Sequence, residues 1–283
     1  MPELLQHKRQ EVEAILRGWP RVIVAYSGGV DSTLLVKLAR DVLGKPNALA
    51  VTADSPSLAR EDLNAAVAIA QQLDLEHRVI TTAEVADPQY RANTAARCYL
   101  CKRELFERLQ DVASREGIPV VLYGAIGDDR VEERPGQRAA LQAGVQAPLQ
   151  EAGLTKAEVR ELARALQMPN WDRPQNACLS SRIPHGLAVD EDKLRQVEEA
   201  EGLLHEHGFR QARVRHLGLH ARIEVEPQAV ARFADAAFTE TIVSGLKALG
   251  FRSVGVDRAG YHPGGANEVS NEEIILTGVS SKQ

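Results

Sequence analysis

Between Arg21 and about Gln150 the chain alternates two patterns of apolar and polar positions. Short apolar runs, "RVIVAYS", "NALAVTAD", "EHRVIT" and "IPVVLYG", are separated by stretches whose apolar residues recur every three or four positions: "STLLVKLARDVLG", "LNAAVAIAQQLDL" and "KRELFERLQDVASREG". Short runs of this kind predict buried strands, and the stretches between them predict crossover helices, so this part reads as a parallel, doubly wound α/β sheet. Helix ends carry their own marks. Gly44 and Pro46 close the first crossover helix, and Thr155 with Glu158 forms a capping box ahead of "TKAEVRELARALQ".

After Pro174 the pattern changes. A charged helix, "VDEDKLRQVEEAEGLLHEHG", precedes two segments of period two, "QARVRHL" and "HARIEVE". A helix through "QAVARFADAAFTETIVSGLKALG", a strand "FRSVGVD" and a glycine- and proline-rich loop "GYHPGGANEVSNEE" follow. These predict a smaller α+β domain behind a boundary in the 175–187 region, with the domains set at 1–178 and 179–283. No repeat or low-complexity segment stands out.

Composition narrows the function classes. With 283 residues and 44% hydrophobic content the chain can bury a sizeable core. Its 34 Lys+Arg stand against 39 Asp+Glu, a net charge of -5, so no global positive field exists to hold a long nucleic acid. A small-molecule substrate is the default. The N-terminal "MPELLQHKRQEVEAILRGWP" is charged and amphipathic, and no apolar run reaches membrane-spanning length, which predicts a cytoplasmic protein without a membrane partner. An odd count of three cysteines in a reducing compartment argues against a disulfide framework.

The strongest motif is "YSGGVDST", Tyr26 to Thr33, placed where the first strand runs into the first helix. Two glycines permit a tight turn in which successive N–H groups and the positive end of the helix dipole face one oxyanion cluster. That is a phosphate cradle, without the spacing or the lysine of a Walker loop. The motif resembles the PP-loop of the ATP pyrophosphatases, which split ATP between its α- and β-phosphates. By that resemblance Ser27, Gly28, Gly29 and Ser32 hold pyrophosphate, and Asp31 helps to place the Mg2+ that neutralises it. Ligands of open α/β sheets lie beyond the carboxyl ends of the strands, so "VTADSPS" and "YGAIGDDR" should join the site. There Gly124 permits close backbone approach to the nucleotide, and Asp128 and Asp129 are either metal or substrate contacts or an ordinary solvated turn.

Cys98 and Cys101 stand i, i+3 at the start of a helix whose core face is Leu105, Phe106, Leu109 and Val112, so both sulfurs can point the same way. A lone C-x-x-C is compatible with half a zinc site, a redox pair or simple burial. No second pair completes a zinc site. Cys178 is a third, isolated thiol in "NACLSSRIPHG", and three cysteines can hold a [4Fe-4S] cluster that leaves one iron open.

An ordered set of landmarks then resembles one family. "YSGGVDSTLLVKLA", "VTADSPSLAREDL", "RCYLCKRELF", "ERPGQRAA", "PLQEAGLTKAEVRELAR", "WDRPQNACLSSRIPHG", "RVRHLGLHARIEV" and "GANEV" are similar to those of the LarE family. These are ATP-dependent pyridinium-3,5-biscarboxylic acid mononucleotide sulfurtransferases of nickel-pincer nucleotide biosynthesis. The resemblance implies a PP-loop domain of the adenine nucleotide alpha hydrolase type and a C-terminal domain for substrate binding and oligomerisation. It makes Cys178 the sulfur site. Some members sacrifice this cysteine's own sulfur, whereas others use three cysteines, here Cys98, Cys101 and Cys178, to hold a [4Fe-4S] cluster. The implied reaction adenylates each substrate carboxylate and converts it to a thiocarboxylate, with sulfide or another sulfur donor and no stable nucleic acid partner; the family also implies a homo-oligomer.

Arg213 and Arg215 in "RVR" lie two apart on a strand, hence on one face, and arginine matches phosphate bidentately; by resemblance they clamp the mononucleotide phosphate. Ser181 and Arg182 are candidates to position the substrate carboxylate, and Glu201 and Glu224 are candidate polar partners or bases. Ile126 departs from the family pattern, which places an asparagine in this loop. Other readings are a PP-loop tRNA thiolase, an amide-forming ligase of the NAD synthetase kind, which has no need of Cys178, and a nucleotide-binding module without catalysis.

Overall fold

The computed structural model describes residues 2–129, 135–174, 176–261 and 273–276. The chain divides into two compact units, Met1–Glu84 with Ala95–Asn176, and Val85–Thr94 with Ala177–Gln283.

The first unit is built on β1 (Val22–Ala25), β2 (Ala48–Asp54), β3 (Glu76–Thr81) and β4 (Val121–Tyr123), ordered β3-β2-β1-β4 with every pair parallel. The expected α/β sheet is therefore present. Successive residues of β1 go to opposite faces. Val22 and Val24 pack with Val12 and Leu16 of α1 (Glu3–Arg17), Leu34, Leu35 and Leu38 of α2 (Val30–Leu43), and Leu162 of α8 (Lys156–Ala165). Ile23 packs on the other side with Leu49, Val51 and Val121 and with Phe106 and Leu109 of α5 (Arg97–Glu116). The helix α3 (Arg60–Gln72) crosses from β2 to β3. Gly44 ends α2 with φ +86°, and Thr155 and Glu158 form the reciprocal capping box of α8, as the sequence predicts. Short helices α6 (Pro135–Gln142) and α7 (Pro148–Glu151), which the periodicity does not reveal, follow β4. The strand order turns back at β1, so the ends of β1 and β4 flank the switch point at which ligands of open α/β sheets bind.

In the second unit β5 (Ala212–Leu217), β6 (His220–Val225), β7 (Ser253–Asp257) and β8 (Glu273–Leu276) form a mixed sheet in the order β5-β6-β7-β8. Its core is Leu204 of α9 (Glu191–Glu206), Val214, Ile223, Val254 and Val256 of the strands, and Ile242 and Leu246 of α10 (Ala236–Ala248). The helix expected through residues 228–250 is divided. A 3-10 segment, Pro227–Ala234, ends at Asp235, whose carboxylate accepts the Phe238 N–H at 2.9 Å and starts α10 afresh. The strand β8 lies at the end of the segment read from sequence as a loop. Residues 262–272, including the "GANEV" landmark, lie outside the described residues, as do Glu133 and Arg134 of "ERPGQRAA".

The sequence boundary at 178 leaves Val85–Thr94 in the first domain, whereas this segment, with α4 (Pro88–Arg91), belongs to the second unit. The reason is hydrogen bonding. Buried Asn93, at φ +52°, donates through Nδ2 to the carbonyls of Ile183, Pro184 and Leu187 at 3.2, 2.8 and 2.8 Å. Its own carbonyl accepts the Gly186 N–H at 3.1 Å, and Tyr90 Oη lies 2.7 Å from Ser180 Oγ. Among the described residues no helix is long and apolar enough to cross a membrane.

Two stability predictions follow from this packing. A Cβ on Gly124 would lie 2.8 Å from Ser32 N and 3.0 Å from Ser32 Cα, closer than packed atoms approach. Gly124→Ala is expected to cost about 1–3 kcal/mol in denaturant unfolding, and an unchanged midpoint would refute this close approach of β4 to α2. His216 is buried against the Phe251 ring, with Nε2 3.0 Å from Gln196 Oε1. Burial, then the Lys193 charge, pushes its pKa down. Below the ordinary histidine range, about 6.5, the unfolded chain binds a proton that the folded one refuses, so this stability is complete above that range and is lost as pH falls. His216→Gln should flatten the fall in urea midpoint of the second unit below neutral pH; an unchanged slope would place the titration elsewhere.

Candidate active site

The glycine turn of the first unit is held from three sides. Gly28 has φ +72°, and a Cβ there would lie 2.8 Å from Ala66 Cβ and 2.9 Å from Ala66 Cα of α3, so only glycine fits both the conformation and the space. Gly29 occupies the N-cap position of α2, where a side chain would ordinarily accept the first free N–H groups and here none does. Its carbonyl accepts from Thr33 Oγ1 at 2.8 Å, Thr33 N at 3.0 Å and Ser32 Oγ at 3.1 Å. Ser27 Oγ and Ser32 Oγ lie 3.2 Å apart, and Gly29 N–H donates to Ser27 Oγ at 3.4 Å, a long bond that an anion could replace. Tyr26 Oη donates to Ala66 O at 3.1 Å, and burial pushes its hydroxyl up to about 12, which keeps it a donor.

The first unit thus brings together Ser27, Gly28, Gly29, Asp31, Ser32 and Gly124, with Gly124 closing on the first turn of α2 as described above. Asp31 is committed more than its motif shows. Both of its oxygens accept from Lys156 Nζ, at 2.8 and 2.6 Å, in a half-buried pair. Lys156 opens α8, and its backbone N–H donates to Asp128 Oδ2 at 2.7 Å. Asp129 Oδ2 accepts the Ile126 N–H at 3.2 Å, and Ile126 is buried in the core. In this structure the two aspartates serve the loop and the start of a helix. After β2, Ser57 Oγ donates to the buried Glu84 at 2.7 Å and Arg60 pairs with Asp54 at 2.7 Å. Sequence reading missed Lys156, whose place inside a capping box masks it, and Asn170, which donates to Gly28 O and to Thr33 Oγ1 at 2.9 Å each.

Cys98 and Cys101 lie in the first turns of α5, one exposed and the other half-buried, and neither is in a disulfide. Among the described residues no three His, Cys, Asp or Glu side chains are grouped to hold a metal ion.

The second unit carries the remaining candidates. Cys178 is exposed and free, and caps a 3-10 turn, Leu179–Arg182, whose Ser181 N–H returns to the Cys178 carbonyl at 2.9 Å. Arg182 is only 1% exposed. Its Nε and Nη2 each donate to Glu201 at 2.9 Å, and its Nη1 reaches the carbonyls of Ala177 and Cys178 and Ser181 Oγ. Glu201 also accepts the Val214 N–H at 3.0 Å. Arg215 forks onto Glu224 at 2.9 and 2.7 Å and donates to Ser181 O at 3.1 Å. Fully buried Glu224 accepts from Arg222 as well, at 3.3 Å. Arg213 lies over the Tyr261 ring at 5.4 Å and donates to Ala212 O at 2.7 Å; burial, then the positive charge of Arg182, pulls its pKa down. Among the described residues, buried Arg182, Arg213, Arg215 and Arg222 share this interior with the carboxylates Glu201, Glu224 and Asp257.

The family model described as NAD synthase matches residues 4–109. The chain is 41% identical to an uncharacterised protein of Synechocystis sp., over 94% of this chain and 99% of that one. It is 36% identical to the pyridinium-3,5-bisthiocarboxylic acid mononucleotide synthase of Lactiplantibacillus plantarum, over 96% of this chain and 98% of the synthase. An argininosuccinate synthase of Natronomonas pharaonis is 32% identical over 53% of this chain and 40% of its own length. A nucleotide-type glycine cradle in a parallel sheet, a full-length match at this identity, and a thiol turn set beside buried arginines agree, and the chain belongs to the pyridinium-3,5-bisthiocarboxylic acid mononucleotide synthase family of PP-loop, ATP-using enzymes.

Proposed function

We propose that the chain adenylates the carboxylates of pyridinium-3,5-biscarboxylic acid mononucleotide and converts them to thiocarboxylates, releasing AMP and pyrophosphate. The observation that carries this reading is the 36% identity to the Lactiplantibacillus plantarum synthase along nearly the whole of both chains. The cradle supports the ATP half. A carboxylate oxygen attacks the α-phosphorus, the bond to the β-phosphate oxygen breaks, and pyrophosphate leaves into the N–H groups of Gly29 and the first turn of α2. Ser27 and Ser32 supply hydroxyl contacts, and Gly124 allows the nucleotide to approach. Asp31 helps to place Mg2+ once the Lys156 ammonium yields its carboxylate, and the released ammonium is then available to the phosphates.

The second half needs sulfur. Attack by hydrosulfide on the acyl adenylate breaks the carbonyl–oxygen bond to AMP and leaves the thiocarboxylate directly, whereas attack by the Cys178 thiolate leaves a thioester, from which a base must remove the Cα proton as the Cβ–S bond breaks to give thiocarboxylate and dehydroalanine. Cys178 is the thiol assigned to this step. Its surroundings support that assignment: the side chain is exposed while Arg182 ties down the carbonyls on either side. We assign Ser181, which Arg182 and Arg215 bracket, to a substrate carboxylate, and Arg213 and Arg215 to the mononucleotide phosphate. Glu201 and Glu224 have their carboxylates filled by arginine and backbone donors, so we assign them to orienting Arg182 and Arg215 rather than to proton transfer.

Three cysteines outside any disulfide are the right donor chemistry for iron and sulfide, and two of them share one helical turn. Cys98, Cys101 and Cys178 would hold a [4Fe-4S] cluster, which would supply sulfur at the sulfide level for the second half-reaction. Exposed Cys178 also suits the second reading, in which its own sulfur is given up and the residue is left as dehydroalanine. The second unit would serve substrate binding and homo-oligomer formation.

Cys178→Ser should retain substrate-dependent pyrophosphate exchange from ATP and form no thiocarboxylate by mass spectrometry; thiocarboxylate formation at the wild-type rate would remove Cys178 from the sulfur step. Protein purified without oxygen is expected to carry about four irons and as many acid-labile sulfides per chain, lost in Cys101→Ala. Iron-free wild-type protein with dehydroalanine at position 178 after one turnover would favour the sacrificial route.

A further inference from the structure

Asn170 is 2% exposed and sits in the turn that follows α8, far along the chain from the glycine motif. Its Nδ2 donates twice, to the Gly28 carbonyl and to Thr33 Oγ1, both at 2.9 Å. Its Oδ1 is buried with no hydrogen-bond partner among the described residues. The amide orientation is fixed by its surroundings, because a carbonyl oxygen only accepts and so must face the nitrogen. A buried amide whose oxygen is left unsatisfied is an unfavourable choice for packing alone, since an apolar side chain of similar size would avoid the cost. What the position retains is the pair of N–H donors.

Both donors act on the same short stretch. In a trans peptide unit the C=O and N–H bonds point to opposite sides. Drawing the Gly28 carbonyl towards Asn170 therefore turns the Gly29 N–H the other way. Thr33 Oγ1 donates its only proton to the Gly29 carbonyl at 2.8 Å, so it is the acceptor towards Asn170, and its pull sets the Gly29–Val30 unit in the same sense. Two consecutive N–H groups, of Gly29 and Val30, are thereby turned to the side opposite these anchors. Neither glycine can hold itself there: Gly28 is at φ +72° with Ala66 closing the space where a side chain would limit it, and Gly29 has no side chain cap.

We propose that Asn170 is a positioning residue for ATP use: it locks the Gly28–Gly29 and Gly29–Val30 peptide units so that their N–H groups face the phosphates. It touches no phosphate itself. The segment carrying it is anchored independently, because Arg173 and Asn176 both donate to Asp62 of α3, at 2.8 and 2.6 Å, and Arg160 donates to the Arg173 carbonyl at 3.1 Å. The lock is thus mounted on the body of the first unit rather than on the loop it holds. This inference rests on the reading of the glycine turn as an ATP site.

The test is calorimetric titration of Mg2+–ATP into wild-type, Asn170→Ala and Asn170→Asp proteins, with near-ultraviolet circular dichroism confirming that each is folded, and the KM–kcat split in pyrophosphate release. Loss of donors from the cradle's support is expected to weaken ATP binding roughly tenfold in Asn170→Ala and further in Asn170→Asp, whose carboxylate would face the Gly28 carbonyl. KM for ATP should rise while kcat at saturation changes less. If Asn170→Ala does not fold, Thr33→Val, which keeps the shape and removes the second arm, should show a smaller rise in KM. Wild-type binding with unchanged affinity in both Asn170 variants, or in a folded Thr33→Val alone, would overturn the positioning role. A wild-type chain that binds no ATP would overturn the nucleotide reading, and the role with it.

Discussion

The constraint on which the first unit depends is the closeness of backbone to backbone around the first turn of α2. Ala66 of α3 stands against Gly28, and Gly124 beyond β4 stands against Ser32, with no room for a β-carbon at either place. These two approaches bring the ends of β1 and β4 and the helix α3 against the start of α2, which is bare of any side chain cap. A helix start left in this state presents several N–H donors and the positive end of a dipole in one direction. Most of the surrounding arrangement, from the Tyr26 hydroxyl on Ala66 O to the Lys156–Asp31 pair, serves to keep that turn in shape or to neutralise what stands beside it.

The second unit solves a different problem. It buries four arginines, and charges without partners would be costly there. Glu201 meets Arg182 and Glu224 meets Arg215 with two oxygens each, and the carbonyls of Ala177, Cys178 and Ser181 take further donors of these two side chains. Arg182 and Arg215 are each held in the guanidinium plane by two carboxylate oxygens, which makes that part of the lattice rigid. The Cys178 turn is fastened to this lattice through Arg182, and Ser181 through both Arg182 and Arg215. An exposed thiol and an adjacent hydroxyl are in this way mounted on a fixed base.

Much of this was legible in the sequence, and what was not has physical reasons. Apolar runs such as "RVIVAYS" announce buried strands directly, and the strand-to-helix glycine motif located the cradle because only glycine serves a left-handed turn with a neighbouring backbone against it. The arginines 213 and 215 were marked by spacing alone, yet spacing does not tell that Glu224 would be shared by Arg215 and Arg222 across a strand pair. Asn170 and Lys156 could not be found by pattern, because their partners lie more than a hundred residues away and a polar residue at a turn is unremarkable locally. The division of the residue 228–250 helix at Asp235 was missed for a simpler reason: a 3-10 segment has nearly the apolar spacing of an α-helix. The strand β8 has no counterpart in the sequence reading, because only the short "IIL" follows the glycine- and proline-rich stretch that ends at Glu273.

The excursion Val85–Thr94 makes the second unit discontinuous along the chain. Three carbonyls of the segment after Cys178 depend on a single amide, that of Asn93, which precedes them by about ninety positions. During synthesis this piece leaves the ribosome long before its partners exist and must wait, unsatisfied or hydrated, while the rest of the first unit is made. The same arrangement means that no single cut separates the units: a gene fragment beginning at residue 177 would lack an internal part of the unit it encodes. Recombination that exchanges contiguous cassettes is therefore barred from replacing the arginine-rich unit alone, and the two have to be inherited together.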